Sequence, residues 1–223
     1  MPIVYLVRHA QASFGTENYD RLSVRGRQQS RWPGEYFAAR GLRFARVLAG
    51  TLVRQRDTAR EVVAAMGLDP RQIGEHPGLD EYYGEELYRA YAGADPRTHQ
   101  NADYRGYWRT FRAAMQAWAE DELRGVPETW DQFGERIRQA LATATDDLAR
   151  DDAVLVVSSG GAIGRAVADI TESPAHVAIE FNLQFRNTAF CELIAGAGKL
   201  RLLSFNSMPH LDHPQRRDAV TFA

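Results

Sequence analysis

Residues 4–16 read Val-Tyr-Leu-Val-Arg-His-Ala-Gln-Ala-Ser-Phe-Gly-Thr, and this stretch decides the fold that we expect. Its first four residues form a short apolar run of β-branched and aromatic side chains, which is typical of a buried strand. Arg8 and His9 follow at the carboxyl end of this strand, where ligands bind in open α/β sheets. Because neighbouring residues of a strand point to opposite faces, both side chains reach one ligand only if the chain turns here. The small residues after His9, among them Ser13, permit such a turn.

Arg8 and His9 together offer two chemical functions that suit an anionic ligand. A guanidinium presents a planar fork of donors that fits a phosphate or a carboxylate. An imidazole beside it can act as a nucleophile or as a proton carrier. An Arg-His dipeptide alone has no special meaning on a protein surface, so the prediction depends on the rest of the chain.

The segments that follow alternate between helices and strands. Ser23 precedes a helical pattern that ends near Gly41, and a short strand covers residues 46–50. A second helix follows, for which Thr51 is the expected N-cap, and Gly67 ends it. This order predicts a parallel sheet that is covered by helices.

The second half of the chain adds further elements. Helical patterns cover residues 104–124, 130–150 and 162–170, and apolar strands cover residues 154–157, 190–194 and 200–205, the last two as a hairpin near the sheet edge. The aromatic face of residues 104–124 favours core packing, with a lid over the site as the alternative. We therefore expect one α/β domain over residues 1–223. It has three α/β/α layers, a mainly parallel sheet and a helical insertion near residues 82–125 that forms a lid or selects the substrate.

The composition argues against several classes of function. The net charge is −2, from 27 basic and 29 acidic residues, so the chain has no general electrostatic reason to bind nucleic acid or an anionic membrane. A single cysteine excludes an intramolecular disulfide and a multi-cysteine metal site. The chain shows no apolar run of about 18 residues and no signal-peptide pattern, so we expect a cytoplasmic protein. The sequence gives no indication of the oligomeric state.

Four points along the chain share a strand end, a small or polar turn and a helix start. They are residues 8–9, 51–56, 80–81 and 158–161. Arg54 falls on the first turn of its helix, where its side chain and the free backbone N–H groups can face an anion. The glycines of residues 158–161 are typical of an anion-binding nest at a helix start. Two arginines, a histidine and a helix amino terminus make a coherent phosphate pocket.

Five blocks in this order resemble signatures of the histidine phosphatase superfamily, the phosphoglycerate-mutase-like proteins. They are residues 4–12 (the Arg-His-Gly signature), 22–29 (L-[ST]-x-x-G-x-x-Q), 52–59 (L-x-R-A-x-Q-T-A), 79–84 (L-x-E-x-x-G) and 156–161 (V-x-S-H-G-G). The resemblance covers nearly the whole chain. It implies a phosphatase that acts on a phosphorylated small molecule or a phosphoprotein, without a metal or a cofactor, because arginines supply the positive charge.

The resemblance also implies roles for individual residues. His9 would attack phosphorus and carry a transient phosphohistidine, while Arg8 and Arg54 would hold the phosphoryl oxygens. Glu81 would protonate the leaving oxygen and then activate water, with Asp80 as the competing carboxylate. A nucleophilic histidine must be neutral, and nearby arginines lower its pKa.

Two departures from the family pattern bear on the chemistry. The family's second histidine, which donates to the transferring phosphoryl group, is Ser159 here, and Gly160 after it is a further candidate for phosphate binding. A hydroxyl donates without positive charge, and losing one such donor costs about 10²–10³ in rate when nothing compensates. His210 is the candidate substitute, although the tail around it is expected to be solvated. Ala10 stands where the Arg-His-Gly signature has glycine, and Gly15 stands where mutase-type members have asparagine.

These departures leave three functions open. We expect a phosphomonoester hydrolase working through phosphohistidine at His9, because a chain without the matched histidine pair is poorly suited to return the phosphoryl group to a product. The alternatives are a catalytically weak or inactive module that binds a phosphorylated ligand, and a phosphoglycerate-mutase-type phosphotransferase. Because of Ser159, reduced activity is also possible for the phosphomonoester hydrolase.

Overall fold

The computed structural model describes residues 1–13 and 20–222. Six strands in these ranges form one sheet: β1 Ile3–Arg8, β2 Phe44–Ala49, β3 Gly74–Glu75, β4 Ala153–Ser158, β5 Phe190–Gly196 and β6 Lys199–Ser207. The order across the sheet is β3-β2-β4-β1-β5-β6. The first four strands of this order run parallel, and β5 and β6 form the expected antiparallel hairpin at one edge.

Eight α-helices in the described ranges surround this sheet. They are α1 Val24–Ala39, α2 Val53–Ala65, α3 Gly84–Ala92, α4 Pro96–Ala102, α5 Tyr104–Ala119, α6 Trp130–Thr145, α7 Gly160–Ile170 and α8 Ala175–Gln184. No helix among the described residues has the length and apolar character to cross a bilayer.

Helices cover both faces of the sheet because its central strands are apolar on both sides. Every residue of β4 is buried. Along β1, Tyr5 and Val7 share a core cluster with Phe37 of α1. Leu6 points to the opposite face and shares a second cluster with Ile163 of α7. This arrangement confirms the predicted three-layer fold with a mainly parallel sheet.

The neighbouring strands β1 and β4 lead into helices on opposite faces, so a crevice opens between their carboxyl ends. Arg8 lies opposite Ser158 in the parallel register. The backbone N–H of His9 donates to the Ser158 carbonyl at 2.8 Å, which holds the two strand ends side by side. A crevice of this kind is where open α/β sheets bind ligands.

The predicted insertion near residues 82–125 consists of α3, α4 and α5. The aromatic face of α5 packs in the core, where Phe111 and Met115 share a cluster with Tyr88 of α3 and Ile179 of α8. Trp118 packs its ring against Phe133 of α6 at 5.3 Å between centroids. The core packing that the aromatic pattern favoured is therefore present.

Several local expectations about helix boundaries were wrong. The N-cap of α2 is Leu52 rather than Thr51, because the Thr51 hydroxyl donates to the Asp80 carboxylate. Helix α5 ends at Ala119 rather than at residue 124, and α6 ends at Thr145 rather than near residue 150. Helix α7 begins at Gly160 rather than at residue 162. Helix α8 was not predicted, since its apolar residues have no clear helical periodicity and its position depends on close packing against α7.

The segment around His210 is not a solvated tail, contrary to expectation. The His210 side chain is 3% exposed and stacks on the Phe190 ring. Farther on, the Thr221 hydroxyl accepts from Gln29 and donates to Asn187. Polar contacts and short turns hold this segment, and neither produces a periodic pattern of apolar residues.

Candidate active site

His9 lies immediately after β1 and is 4% exposed. Its Nδ1 lies 2.8 Å from the Ala10 carbonyl oxygen, which can only accept, so Nδ1 carries the proton of the neutral ring. Arg54 Nε donates to His9 Nε2 at 3.1 Å, so Nε2 holds the lone pair. Burial first, and then Arg54 and Arg8, hold the pKa of His9 well below its ordinary value. The ring is therefore neutral, and burial lowers its pKa more than the arginines do.

Arg54 is buried on the first turn of α2, and an acidic residue that the sequence did not single out holds it. Asp20 Oδ1 accepts from Arg54 Nη1 at 2.8 Å, and Asp20 Oδ2 accepts from the backbone N–H of Val53 at 2.8 Å. The Thr58 hydroxyl donates to the Arg54 carbonyl at 2.7 Å and accepts from the Ala10 N–H at 3.0 Å. These bonds tie α2 to the His9 loop. The one available signal for Asp20 was that a buried guanidinium needs an acidic partner.

The two neighbouring carboxylates after residue 79 lie in different environments. Asp80 accepts from the backbone N–H and the hydroxyl of Thr51, so it fixes a loop. Glu81 accepts from the backbone N–H of Gly161 at 3.0 Å. Burial raises the pKa of Glu81, although the Gly161 N–H and Arg54 act in the opposite direction. A carboxyl group that keeps its proton to higher pH suits a general acid, which favours Glu81 over Asp80.

Two glycines let the start of α7 lie against the charged side chains of the site. A Cβ on Gly160 would lie 3.4 Å from Arg8 Nε and 2.9 Å from Asn182 Oδ1. A Cβ on Gly161 would lie 2.2 Å from Glu81 Oε1. Gly160 is the first residue of α7, so its N–H has no partner within the helix. The guanidinium of Arg8 is held from the other side, because its Nη1 donates to the Phe185 carbonyl.

Ser159 holds the N-cap position of α7, but its side chain makes no capping bond. Its Oγ instead accepts from Gln55 Nε2 at 2.8 Å, and both residues are fully buried. The neighbouring Ser158 hydroxyl donates to the Leu79 carbonyl at 2.6 Å. The structure therefore brings Ser159 to the predicted strand end and adds Gln55, which the sequence did not single out.

Ser13 and His210 complete the predicted set. The backbone N–H of Ser13 donates to the Arg21 carbonyl at 2.7 Å, in the loop that continues into Gly15, which lies outside the described residues. His210 Nε2 bonds to Thr188 Oγ1 at 3.0 Å, and its ring stacks on the core. These contacts argue against His210 as a substitute donor.

The convergent groups are a neutral imidazole, two guanidiniums, a carboxyl group with a raised pKa and a helix amino terminus. In the described ranges, no three or more His, Cys, Asp and Glu side chains are grouped as ligands of a metal ion. Such a set can bind a phosphoryl group, attack it and protonate a leaving oxygen.

A comparison with protein families decides which proteins this chain is related to. The family model described as the histidine phosphatase superfamily (branch 1) matches residues 4–208. The chain belongs to this superfamily. No match was found among curated proteins.

Solved structures of two phosphatases and a mutase share the fold. A phosphoserine phosphatase mutant from Entamoeba histolytica, in complex with phosphoserine, matches with a TM-score of 0.65 and 18% identity over 95% of this chain and 100% of that one. The mycobacterial glucosyl-3-phosphoglycerate phosphatase with inorganic phosphate matches with a TM-score of 0.66 and 21% identity, over 94% and 99%. Phosphoglycerate mutase from Bacillus anthracis matches with a TM-score of 0.64 and 16% identity, over 93% and 94%. Identities this low show a common fold and leave the substrate open.

Proposed function

We propose that this protein is a metal-independent phosphomonoester hydrolase that works through a phosphohistidine at His9. The environment of His9 carries the proposal. A neutral imidazole has its Nδ1–H fixed by a carbonyl oxygen and its Nε2 lone pair directed at the Arg54 guanidinium. A nucleophile at that nitrogen therefore faces the position where an arginine binds a phosphoryl group.

Binding of the substrate prepares the nucleophile. Arg8 and Arg54 hold the phosphoryl oxygens, and the first N–H of α7 at Gly160 adds a backbone donor. In the free protein, the Nε–H of Arg54 donates to His9 Nε2. When Arg54 turns this donor to a phosphoryl oxygen, the lone pair of His9 is released beside the phosphorus atom.

The reaction then proceeds in two displacements. In the first, the His9 Nε2 lone pair forms a bond to phosphorus, the bond to the leaving oxygen breaks, and the Glu81 carboxyl group gives that oxygen its proton. In the second, the Glu81 carboxylate takes a proton from water, the water oxygen attacks phosphorus, and the N–P bond breaks. The products are an alcohol and inorganic phosphate, and both residues return to their starting protonation states.

The substrate class that we propose is a phosphorylated small molecule, because the similar Entamoeba protein binds phosphoserine. The insertion formed by α3 to α5 is the segment proposed to select it. Tyr82 supports this proposal, since it follows Glu81 directly and its hydroxyl accepts from Asn182 Nδ2 at 2.8 Å, beside Gly160.

The test is hydrolysis of 4-nitrophenyl phosphate in the presence of EDTA by the wild type and by His9→Ala. We expect turnover that survives EDTA and disappears with His9, together with an acid-labile phosphoryl group on the wild-type protein after rapid quenching. Turnover by His9→Ala at the wild-type rate, or its loss with EDTA, would contradict the proposal.

A second candidate is a module that binds a phosphorylated ligand without rapid turnover. The uncharged Ser159 supports it, since it stands where the V-x-S-H-G-G signature that residues 156–161 resemble has histidine. Formation of phosphohistidine distinguishes the two candidates. Both bind inorganic phosphate through Arg8 and Arg54, but only the hydrolase forms a phosphohistidine.

A further inference from the structure

The side chain of Ser159 has an unusual environment for a serine at a helix start. An N-cap serine ordinarily accepts a hydrogen bond from a backbone N–H of the first turn. In α7 the Gly161 N–H is donated to Glu81 Oε2 instead, and the Ser159 hydroxyl makes no capping bond. Its one hydrogen bond among the described residues is the one that it accepts from Gln55 Nε2 at 2.8 Å.

The direction of this hydrogen bond is fixed by the other partners of Gln55. Gln55 Nε2 also lies 2.9 Å from the Leu79 carbonyl oxygen, which can only accept, so this atom is the amide nitrogen. Its two N–H groups are therefore used, one for Leu79 and one for Ser159. On the other side of the amide, Oε1 accepts from the Leu52 backbone N–H at 3.4 Å.

The proton of the Ser159 hydroxyl must consequently point away from Gln55. The Leu79 carbonyl cannot receive it, because its two lone pairs already accept from Gln55 and from the Ser158 hydroxyl. Both Ser159 and Gln55 are 0% exposed. A buried hydroxyl proton without an acceptor is unfavourable, so this arrangement favours an acceptor oxygen supplied by a ligand.

The residues next to Ser159 connect it to both proposed phosphate-binding arginines. Gln55 is the direct neighbour of Arg54 on α2, and Gly160 lies against the Arg8 guanidinium. In the family signature L-x-R-A-x-Q-T-A, Gln55 stands where the pattern has alanine, and Ser159 stands where V-x-S-H-G-G has histidine. Gln55 and Ser159, which both depart from the pattern, are thus bonded to each other in the fold.

We propose that Gln55 is a positioning residue that holds the Ser159 hydroxyl as a fixed donor to the phosphoryl group, and that this pair takes the place of the family's second histidine. The inference rests on the proposed function and deepens it. Gln55 acts through Ser159 and does not itself touch the substrate. The pair supplies direction to the hydrogen bond but no positive charge.

A double-mutant cycle with Gln55→Met and Ser159→Ala tests this coupling. The readouts are kcat/KM for 4-nitrophenyl phosphate and the Kd of orthovanadate, which resembles the five-coordinate phosphorus of phosphoryl transfer. We expect Ser159→Ala to lower kcat/KM about 10²-fold, the cost of one donor to the transition state. Gln55→Met should lower kcat/KM at least tenfold in the wild type but less than about twofold in the Ser159→Ala background. Equal losses in the two backgrounds would show that Gln55 acts independently of Ser159 and would overturn the inference.

Ser158→Ala is the matched control for lost stability. Its hydroxyl is also buried, but its proton is already donated to the Leu79 carbonyl. We expect this variant to lower Tm without changing the Kd of orthovanadate. If Ser158→Ala and Ser159→Ala weaken orthovanadate binding equally, the donor role of Ser159 is wrong.

A swap experiment provides a second test of the same pair. Ser159→His alone places an imidazole against the buried Gln55 amide, so we expect lower activity and lower Tm. Combining it with Gln55→Ala clears that space, and we expect kcat/KM to recover at least to the wild-type value. A single Ser159→His variant that is more active than the wild type would contradict the proposed pairing.

The two proposals fail in distinguishable ways. Turnover that depends on His9 with an additive cycle would overturn the role of Gln55 and leave the hydrolase intact. Orthovanadate binding with a coupled cycle but no turnover would overturn the hydrolase and support the donor pair. A protein that neither turns over nor binds orthovanadate would overturn both.

Discussion

Replacing Glu81 by glutamine gives the most informative test of the proposed chemistry. The glutamine keeps the shape of the side chain, and its oxygen can still accept from the Gly161 N–H, which lies 3.0 Å from Glu81 Oε2. It loses the carboxyl proton, whose pKa burial raises, and the second acceptor oxygen, Oε1, which accepts from the Tyr82 N–H at 3.2 Å. The variant therefore tests proton donation in a side chain of nearly unchanged shape.

The size of the loss depends on the leaving group. General acid catalysis contributes about 10²–10⁴ in rate, or about 3–5 kcal/mol at 1.36 kcal/mol per tenfold. An alkyl phosphate releases a strongly basic oxygen and needs this proton, so its kcat/KM should fall by that factor. 4-Nitrophenyl phosphate releases a stable anion, so its kcat/KM should fall less than about tenfold.

The assay is kcat/KM for an alkyl and an aryl phosphate, since this constant includes only steps up to phosphorylation of His9. The value of kcat also contains hydrolysis of the phosphohistidine, in which Glu81 acts as a base, so kcat should fall for both substrates. The control is Asp80→Asn, because Asp80 bonds to Thr51 and supports the loop. Equal losses of kcat/KM for the two substrates in Glu81→Gln would refute the role of Glu81 as a general acid.

Three further predictions follow from other contacts. Gly161→Ala places a Cβ 2.2 Å from Glu81 Oε1, so we expect the free energy of unfolding to fall by about 1–3 kcal/mol. The displaced carboxyl group should also give kcat/KM a leaving-group dependence like that of Glu81→Gln. Unchanged kcat/KM for both phosphates would contradict this prediction. Asp20→Asn removes the carboxylate that competes with phosphate for Arg54. Calorimetry should therefore show that the Kd for inorganic phosphate falls by up to about tenfold. A higher Kd would mean that Asp20 chiefly positions the arginine. His210→Phe should make stability less sensitive to acid, because burial lowers the pKa of His210 from 6.5 to about 3 and only the unfolded chain gains its proton as the pH falls below 6.5. Urea unfolding at pH 7 and pH 5 should show that the wild type loses about 2 kcal/mol more than the variant, and equal losses would refute the burial argument.

The pH dependence of kcat/KM follows from the pKa values of His9 and Glu81. The pKa of His9 is held well below 6.5, so the nucleophile stays neutral until the solution is far more acidic than that value. The pKa of Glu81 is raised above 4.5, and the alkaline limb for an alkyl phosphate should follow the loss of its proton. Because an alkyl phosphate itself gains a proton at about pH 6, the acid limb does not report His9 alone. An NMR titration of the His9 ring in the free protein that shows protonation near pH 6.5 would contradict the burial of His9.

Much of the fold could be predicted from local patterns. The apolar run of β1, the serine before α1 and the continuous apolar strand β4 each identify an element by short-range chemistry. Their order along the chain then predicts a parallel sheet, because helices must connect strands that run in the same direction. Helix α8 could not be predicted in this way. Gly164 lets its backbone approach α7 so closely that a Cβ there would lie 2.7 Å from the Ala178 carbonyl oxygen.

In the candidate site, too, some residues could be predicted from the sequence and others only from the tertiary structure. The sequence by itself determined Arg8 and His9 at the end of β1 and Arg54 on the helix that follows β2, because the topology of a parallel sheet brings its carboxyl ends together. The tertiary structure alone decided which partners complete them. Asp20 on Arg54 and Gln55 on Ser159 are separated by 34 and 104 positions along the chain. Hydrogen bonds act over about 3 Å, so such pairs depend on how the helices pack, and no spacing in the sequence encodes them.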